Sequence, residues 1–109
     1  MYVRIVTFRL EGLSPEAYAG HADHIADAFR SWPGLLTKVW LADPDANTYG
    51  GIYVFTSRDA AEASRDTDVF ASLLASPHFA DLSISEFQVL DGPTGVTGGV
   101  LAAGGYACA

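Results

Sequence analysis

With 109 residues, half of them hydrophobic and 17% charged, the chain has the balance of one folded domain and not of a disordered segment. Thirteen acidic against six basic residues leave a formal charge of −7, which excludes the positive footprint that nucleic acid or an anionic membrane surface requires. The lone Cys108 allows no internal disulfide, and no apolar run approaches membrane length.

Met1 to Ile5 already reads as strand, without the charged start and apolar block of an export signal, so a cytoplasmic protein is expected. The first strand runs Tyr2–Leu10 on its Val, Ile, Phe and Thr content. Glu11-Gly12-Leu13 turns the chain. Ser14 then caps a helix that has Pro15 at its first position and Glu16 in its first turn. The helix is predicted from Pro15 to about Ser31, with Tyr18, Ala22, Ile25, Phe29 and Trp32 on one face. His21 lies at the edge of that face and His24 further round, toward solvent. Pro33-Gly34 ends the helix.

Two apolar runs, Leu35–Ala42 and Tyr49–Thr56, flank a turn cluster of Asp43, Pro44, Asp45 and Asn47, and read as paired strands. Simple alternation sets Leu35, Val39 and Leu41 on one side and Leu36, Lys38 and Trp40 on the other. It likewise sets Tyr49, Tyr53 and Phe55 against Ile52 and Val54. Ser57 caps a second helical stretch, which breaks near Thr67, resumes with Val69, Phe70, Leu73 and Leu74, and stops before Pro77. Ser76-Pro77-His78-Phe79 is predicted as a loop and Leu82–Leu90 as the fourth strand. From Asp91 glycines accumulate. Thr94–Thr97 is expected to be extended, and residues 98–109 to form a glycine-rich flexible tail behind a domain of residues 1–97.

The element order is β-α-β-β-α-β: an α+β, ferredoxin-like chain whose two helical layers cover one face of a four-stranded antiparallel sheet. Yet the strands are apolar on both faces. Five side chains left on the open face represent roughly 8–15 kcal/mol of burial, comparable with the whole stability of a small domain. A homodimer packed sheet against sheet is therefore expected.

Three segments carry a family likeness: P-G-L-L-T-K-V-W from Pro33, G-G-I-Y-V-F-T-S from Gly50, and F-Q-V-L-D-G-P-T from Phe87. In these the chain resembles the YdhR-type monooxygenases, small members of the dimeric α+β barrel superfamily that includes the antibiotic-biosynthesis monooxygenases. The resemblance spans Met1 to Thr97 and is densest at Gly34–Trp40 and Gly50–Ser57. It implies a barrel formed by two sheets, with a pocket in each subunit between sheet and helices. It also implies oxygenation of a small aromatic or polyketide-like substrate by molecular oxygen, with no metal, haem or flavin cofactor. Quinone-forming relatives carry an Asn, a Trp and a Tyr on and after the third strand. Those positions fall at Gly51, Phe55 and near Ala61 here, so all three groups are missing, and Tyr49 and Tyr53 stand either side of Gly51 as substitutes.

The catalytic candidates are His21, His78 and Tyr53, and the substrate-binding candidates Tyr18, Trp40, Tyr49, Gly51 and Phe55. Histidine suits proton transfer at neutral pH, and a tyrosine hydroxyl can donate to a developing oxyanion. Aromatic residues supply apolar walls, although core packing accounts for them equally well. His78 lies in S-P-H-F, and a histidine in a comparable H-P-A-H loop is the general base in the superfamily's cyclase branch. His21 has the plainer alternative of a boundary histidine with one edge in water. Gly51 is expected to leave room for a ligand. Lys38 is expected to snorkel, or to pair with Glu86 across a sheet or dimer interface. No metal-ligand cluster or phosphate loop occurs. Three functions stay open: an oxygenase, a polyketide cyclase or isomerase, and a non-catalytic small-molecule-binding dimer.

Overall fold

Ser14, Ser57 and Thr67 each accept the backbone N–H three residues on, from Ala17, Ala60 and Phe70, and so fix where three helices begin. The computed structural model describes residues 1–98. Its elements are β1 (Tyr2–Leu10), α1 (Pro15–Phe29), β2 (Leu35–Asp43), β3 (Thr48–Phe55), α2 (Arg58–Ser64), α3 (Asp68–Ala75), β4 (Phe79–Gln88) and α4 (Asp91–Thr97). Thr67 restarts the helical stretch, so the expected break near that residue separates α2 from α3.

The sheet is antiparallel in the order β2-β3-β1-β4, the ferredoxin-like α+β arrangement. Gly50 faces Thr7 across β1–β3 and lies so close to the Val6 carbonyl that no side chain fits there. Phe8, Leu10, Tyr18, Phe29, Trp32, Tyr53, Phe55 and Phe70 form the core between the sheet and the helices. On the opposite face Val39 and Phe87 stay 47% and 55% exposed, with Ile5 and Ile52 half-buried beside them.

The structure corrects several boundaries and one face. Helix α1 ends at Phe29 and not Ser31, because the N–H groups of Arg30 and Trp32 bond three residues back, to Asp27 and Phe29, and tighten the exit. Strand β4 starts at Phe79, three residues before Leu82, and ends at Gln88. Its pairing slips by one residue between Thr7 and Arg9, and Asp81 takes up the extra residue at φ 53°. Strands β2 and β3 differ from expectation by one residue at their shared turn. A second slip lies between Leu35 and Thr37. Leu36 is the surplus residue, and the bulge turns Leu35 to the face of Lys38 and Trp40, opposite Phe55, and not to that of Val39 and Leu41.

Thr94–Thr97 is helical instead of extended. The Thr94 N–H reaches the Leu90 carbonyl, and the Gly98 N–H reaches that of Thr94. Pro93 is the third residue of this helix, where no intrahelical N–H bond is required. The tail expected from residue 98 lies, beyond that residue, outside the described residues.

Arg4, the third residue of β1, is buried completely. Its Nε donates to Glu86 Oε2 at 2.7 Å, Nη1 to Ser64 Oγ at 2.8 Å and Nη2 to the Ala61 carbonyl at 2.6 Å. Its guanidinium also lies over the rings of Phe55 and Phe70, at 5.1 and 5.2 Å. Arg65 donates to the same Glu86 oxygen at 3.0 Å. One carboxylate thus ties β1, β4 and the α2–α3 connection together. Glu86 is therefore no partner for Lys38 within the sheet, since β2 and β4 are its opposite edges.

Candidate active site

Helices α1 and α3 stand apart over the sheet, and between them opens a cavity of about 430 Å3. Phe8, Trp40 and Tyr53 contribute from the strands, Tyr18, His21, Ile25 and Phe29 from α1, and Val69, Phe70 and Leu73 from α3. His78 and Phe79 close it at the start of β4. Five predicted site residues, His21, His78, Tyr53, Tyr18 and Trp40, therefore meet at one cavity. Its walls are mostly apolar, and its size suits a small aromatic ligand.

His78 is held on both sides. Its carbonyl accepts from the Glu11 N–H at 2.9 Å, and its Nδ1 lies 2.9 Å from the Glu11 carbonyl oxygen. A carbonyl only accepts, so Nδ1 carries the hydrogen and the neutral ring keeps its lone pair on Nε2. His21 is exposed on α1 at the cavity rim, and His24, exposed one turn on, does not line it.

Tyr53 is 5% exposed, stacked at 5.9 Å on Trp32. Burial pushes its phenol far up, against the pull of the Arg4 charge, so it stays protonated and available as a donor. Burial and the neighbouring Tyr49 raise Tyr18 as well.

The remaining predicted residues lie elsewhere. Phe55, fully buried, packs beneath Arg4 and does not reach the cavity. Tyr49 belongs to a second groove, between α1 and the β2–β3 edge, which shares Tyr18 and Trp40 as walls with the first. Its hydroxyl is buried without a hydrogen-bond partner among the described residues. Gly51 does not open onto free space, because a Cβ there would lie 3.0 Å from Lys38 Cε. The glycine makes room for the lysine stem.

Lys38 is the cavity residue that strand alternation leaves looking structural. Its Nζ sits 3.5 Å from the ring centre of Phe29, 3.4 Å from that of Trp40 and 4.6 Å from that of Tyr53. Among the described residues no carboxylate pairs with it. Burial pushes the amine down from 10.5 to about 7, while the three ring faces favour the ammonium and oppose that shift. The available signal was a lysine within an aromatic strand, directly across from a tyrosine and beside a glycine.

Among the described residues no group of three or more His, Cys, Asp or Glu side chains could hold a metal ion, and no helix is long and apolar enough to cross a membrane.

Solved structures with the same fold include a cofactor-independent oxygenase, SnoaB from Streptomyces nogalater in its N63A form. It is 21% identical at a TM-score of 0.64, over 82% of this chain and 92% of its own. The haem-degrader MhuD from Mycobacterium tuberculosis, with two haems in its active site, is 20% identical at a TM-score of 0.67, over 83% and 96%. A protein from Nitrosomonas europaea described as a "Putative antibiotic biosynthesis monooxygenase" gives 18% and 0.68, over 83% and 99%. At these identities the likeness shows the fold alone. No significant match is found among functionally curated proteins. The family profile described as "Putative mono-oxygenase ydhR" matches residues 4–100, nearly the whole chain. The chain belongs to the ydhR family.

Proposed function

We propose that the protein is a homodimeric, cofactor-independent monooxygenase of a small aromatic or polyketide-like substrate. The observation that carries this reading is the aromatic cavity with His78 and His21 at its edge and the protonated Tyr53 in its wall. The family and the SnoaB likeness support the oxygenase class. The substrate rings lie among Trp40, Phe29 and Tyr18. His78, with its lone pair fixed on Nε2, takes a proton from a ring-activated CH2 group, and Tyr53 donates to the oxyanion that develops. The carbanion passes an electron to molecular oxygen. Overall, CH2 and O2 become C=O and H2O, and the substrate supplies all the electrons.

Oxygen uptake with an anthrone-like substrate in metal-free buffer tests this. Uptake is expected with the purified protein alone, and none across a panel of hydroxyaromatics would overturn it. The same His78 geometry fits a cyclase or isomerase, for which product would form without oxygen.

The dimer rests on the open sheet face. Ile5 lies mid-face on the central strand β1, next to Ile52 on β3. Ile5→Asp would bury an unpaired charge between two sheets, and should weaken association at least ~100-fold. Sedimentation velocity would show dimers for the native chain and monomers for the variant. A native monomer would refute the assembly.

A further inference from the structure

Lys38 takes no part in the chemistry so far assigned to the cavity. A lysine amine drawn under three ring faces, with no carboxylate partner among the described residues, is an incomplete ion pair. The chain carries thirteen acidic residues, yet none lines the cavity. The titratable groups that do are His21 from α1, His78 from the approach to β4, Tyr18 from α1, Tyr53 from β3 and Lys38 from β2. Ser72 and Ser76 supply the other polar groups, from α3 and its end. Both tyrosines are held protonated. The site therefore offers an anion the Lys38 amine and two tyrosine donors with no carboxylate to repel it, among apolar walls that strengthen the attraction.

We propose that Lys38 is a catalytic residue that selects substrates bearing an acidic phenolic or enolic hydroxyl, by taking the hydroxyl proton and pairing with the oxyanion left behind. This rests on the reading of the cavity as a site for a small aromatic. The step is a proton transfer: the substrate O–H bond breaks, its proton forms the third N–H bond of the ammonium, and the electron pair stays on oxygen. The lowered affinity of the buried amine for its proton leaves it competent to accept one near neutral pH. Once formed, the ammonium is stabilised by Phe29, Trp40 and Tyr53 on one side and the oxyanion on the other. The conjugated anion gives up an electron to oxygen more readily than the neutral hydroxyl compound does.

4-Nitrophenol tests the assignment, because its visible band reports directly whether the bound hydroxyl is ionised and its binding requires no oxidation. The intact protein should bind the dye as nitrophenolate and raise its acidity at least tenfold over the free dye. Lys38→Met should lose that gain, while Lys38→Arg should keep nitrophenolate binding and lose turnover of oxygenase substrates. His21→Ala and His78→Ala should retain the nitrophenolate band. Dye bound un-ionised, ionised equally by Lys38→Met, or left un-ionised by a histidine variant overturns the proposal while leaving oxygen uptake free to stand. Dye that binds in neither form overturns the aromatic-site reading and this proposal with it. Nitrophenolate binding without oxygen uptake on any substrate sinks the oxygenase reading alone.

Discussion

Arg4→Ala is expected to cost about 3–5 kcal/mol of stability, because it strips a partly buried carboxylate of its main partner and opens a void under Phe55 and Phe70. For a domain of this size each kcal/mol lowers the melting temperature by about 4–8 °C, so the loss is a large part of what holds the fold. Removing both charges is a different experiment. Arg4→Met with Glu86→Met leaves neither a buried guanidinium nor a stranded carboxylate, and should lie within about 1–2 kcal/mol of the native chain. Arg65, being partly exposed, returns to water. Urea melts of the three proteins give the comparison. An Arg4→Ala loss below about 1 kcal/mol would mean that the pair is solvated, in the range of surface ion pairs.

The same network sets the acid limb. Desolvation pushes the Glu86 carboxyl up, but the hydrogen bonds and charges of Arg4 and Arg65 outweigh it and hold the group below its ordinary value. Its contribution is complete above the ordinary carboxylate range and is lost as pH falls through the lowered value.

Lys38→Met should act in the opposite direction and stabilise the chain, by about 1–4 kcal/mol at pH 6. Folding lowers the amine from 10.5 to about 7, so between these values the unfolded chain binds more protons than the folded one. Native stability therefore rises with pH across that window, by on the order of 2–3 kcal/mol from pH 7 to 9.5 after the ring faces' opposing pull. The variant has no such group, so its profile should be flat there and its advantage should shrink as pH rises. Chemical melts at half-unit intervals from pH 6 to 9.5 measure both curves. Parallel curves would show that the amine is as well solvated folded as unfolded. A stability gain on removing a side chain that turnover requires is the pattern of a residue kept for chemistry.

Much of the fold is local and was legible. Ser14, Ser57 and Thr67 mark helix starts because a hydroxyl capping an amide three residues on needs nothing from the rest of the chain. The aromatic face of α1, from Tyr18 to Trp32, follows from helical period and apolar side chains alone. The family likeness implied a pocket between sheet and helices, and the cavity found there is lined by His21 and Tyr18 from that helix and by Trp40 and Tyr53 from the strands.

Alternation failed at Leu36, since one surplus residue reverses the facing of everything before it and leaves no mark in composition. Thr94–Thr97 failed because glycine content argued against a helix, while a short run of backbone bonds such as Thr94 to Leu90 and Gly98 to Thr94 suffices to close one.

The sequence by itself determined the order and type of the strands and helices through β4 and the apolar character of both sheet faces, because periodicity and capping are carried by near neighbours along the chain. Only the tertiary structure decided that Arg4 meets Glu86, that the Glu11 carbonyl orients His78, and that Lys38 ends beneath three rings over Gly51 with no acid beside it. Those facts depend on strand order and bulge register, which set distances between residues far apart in the chain, and it is distance that governs desolvation, ion pairing and the state of a proton.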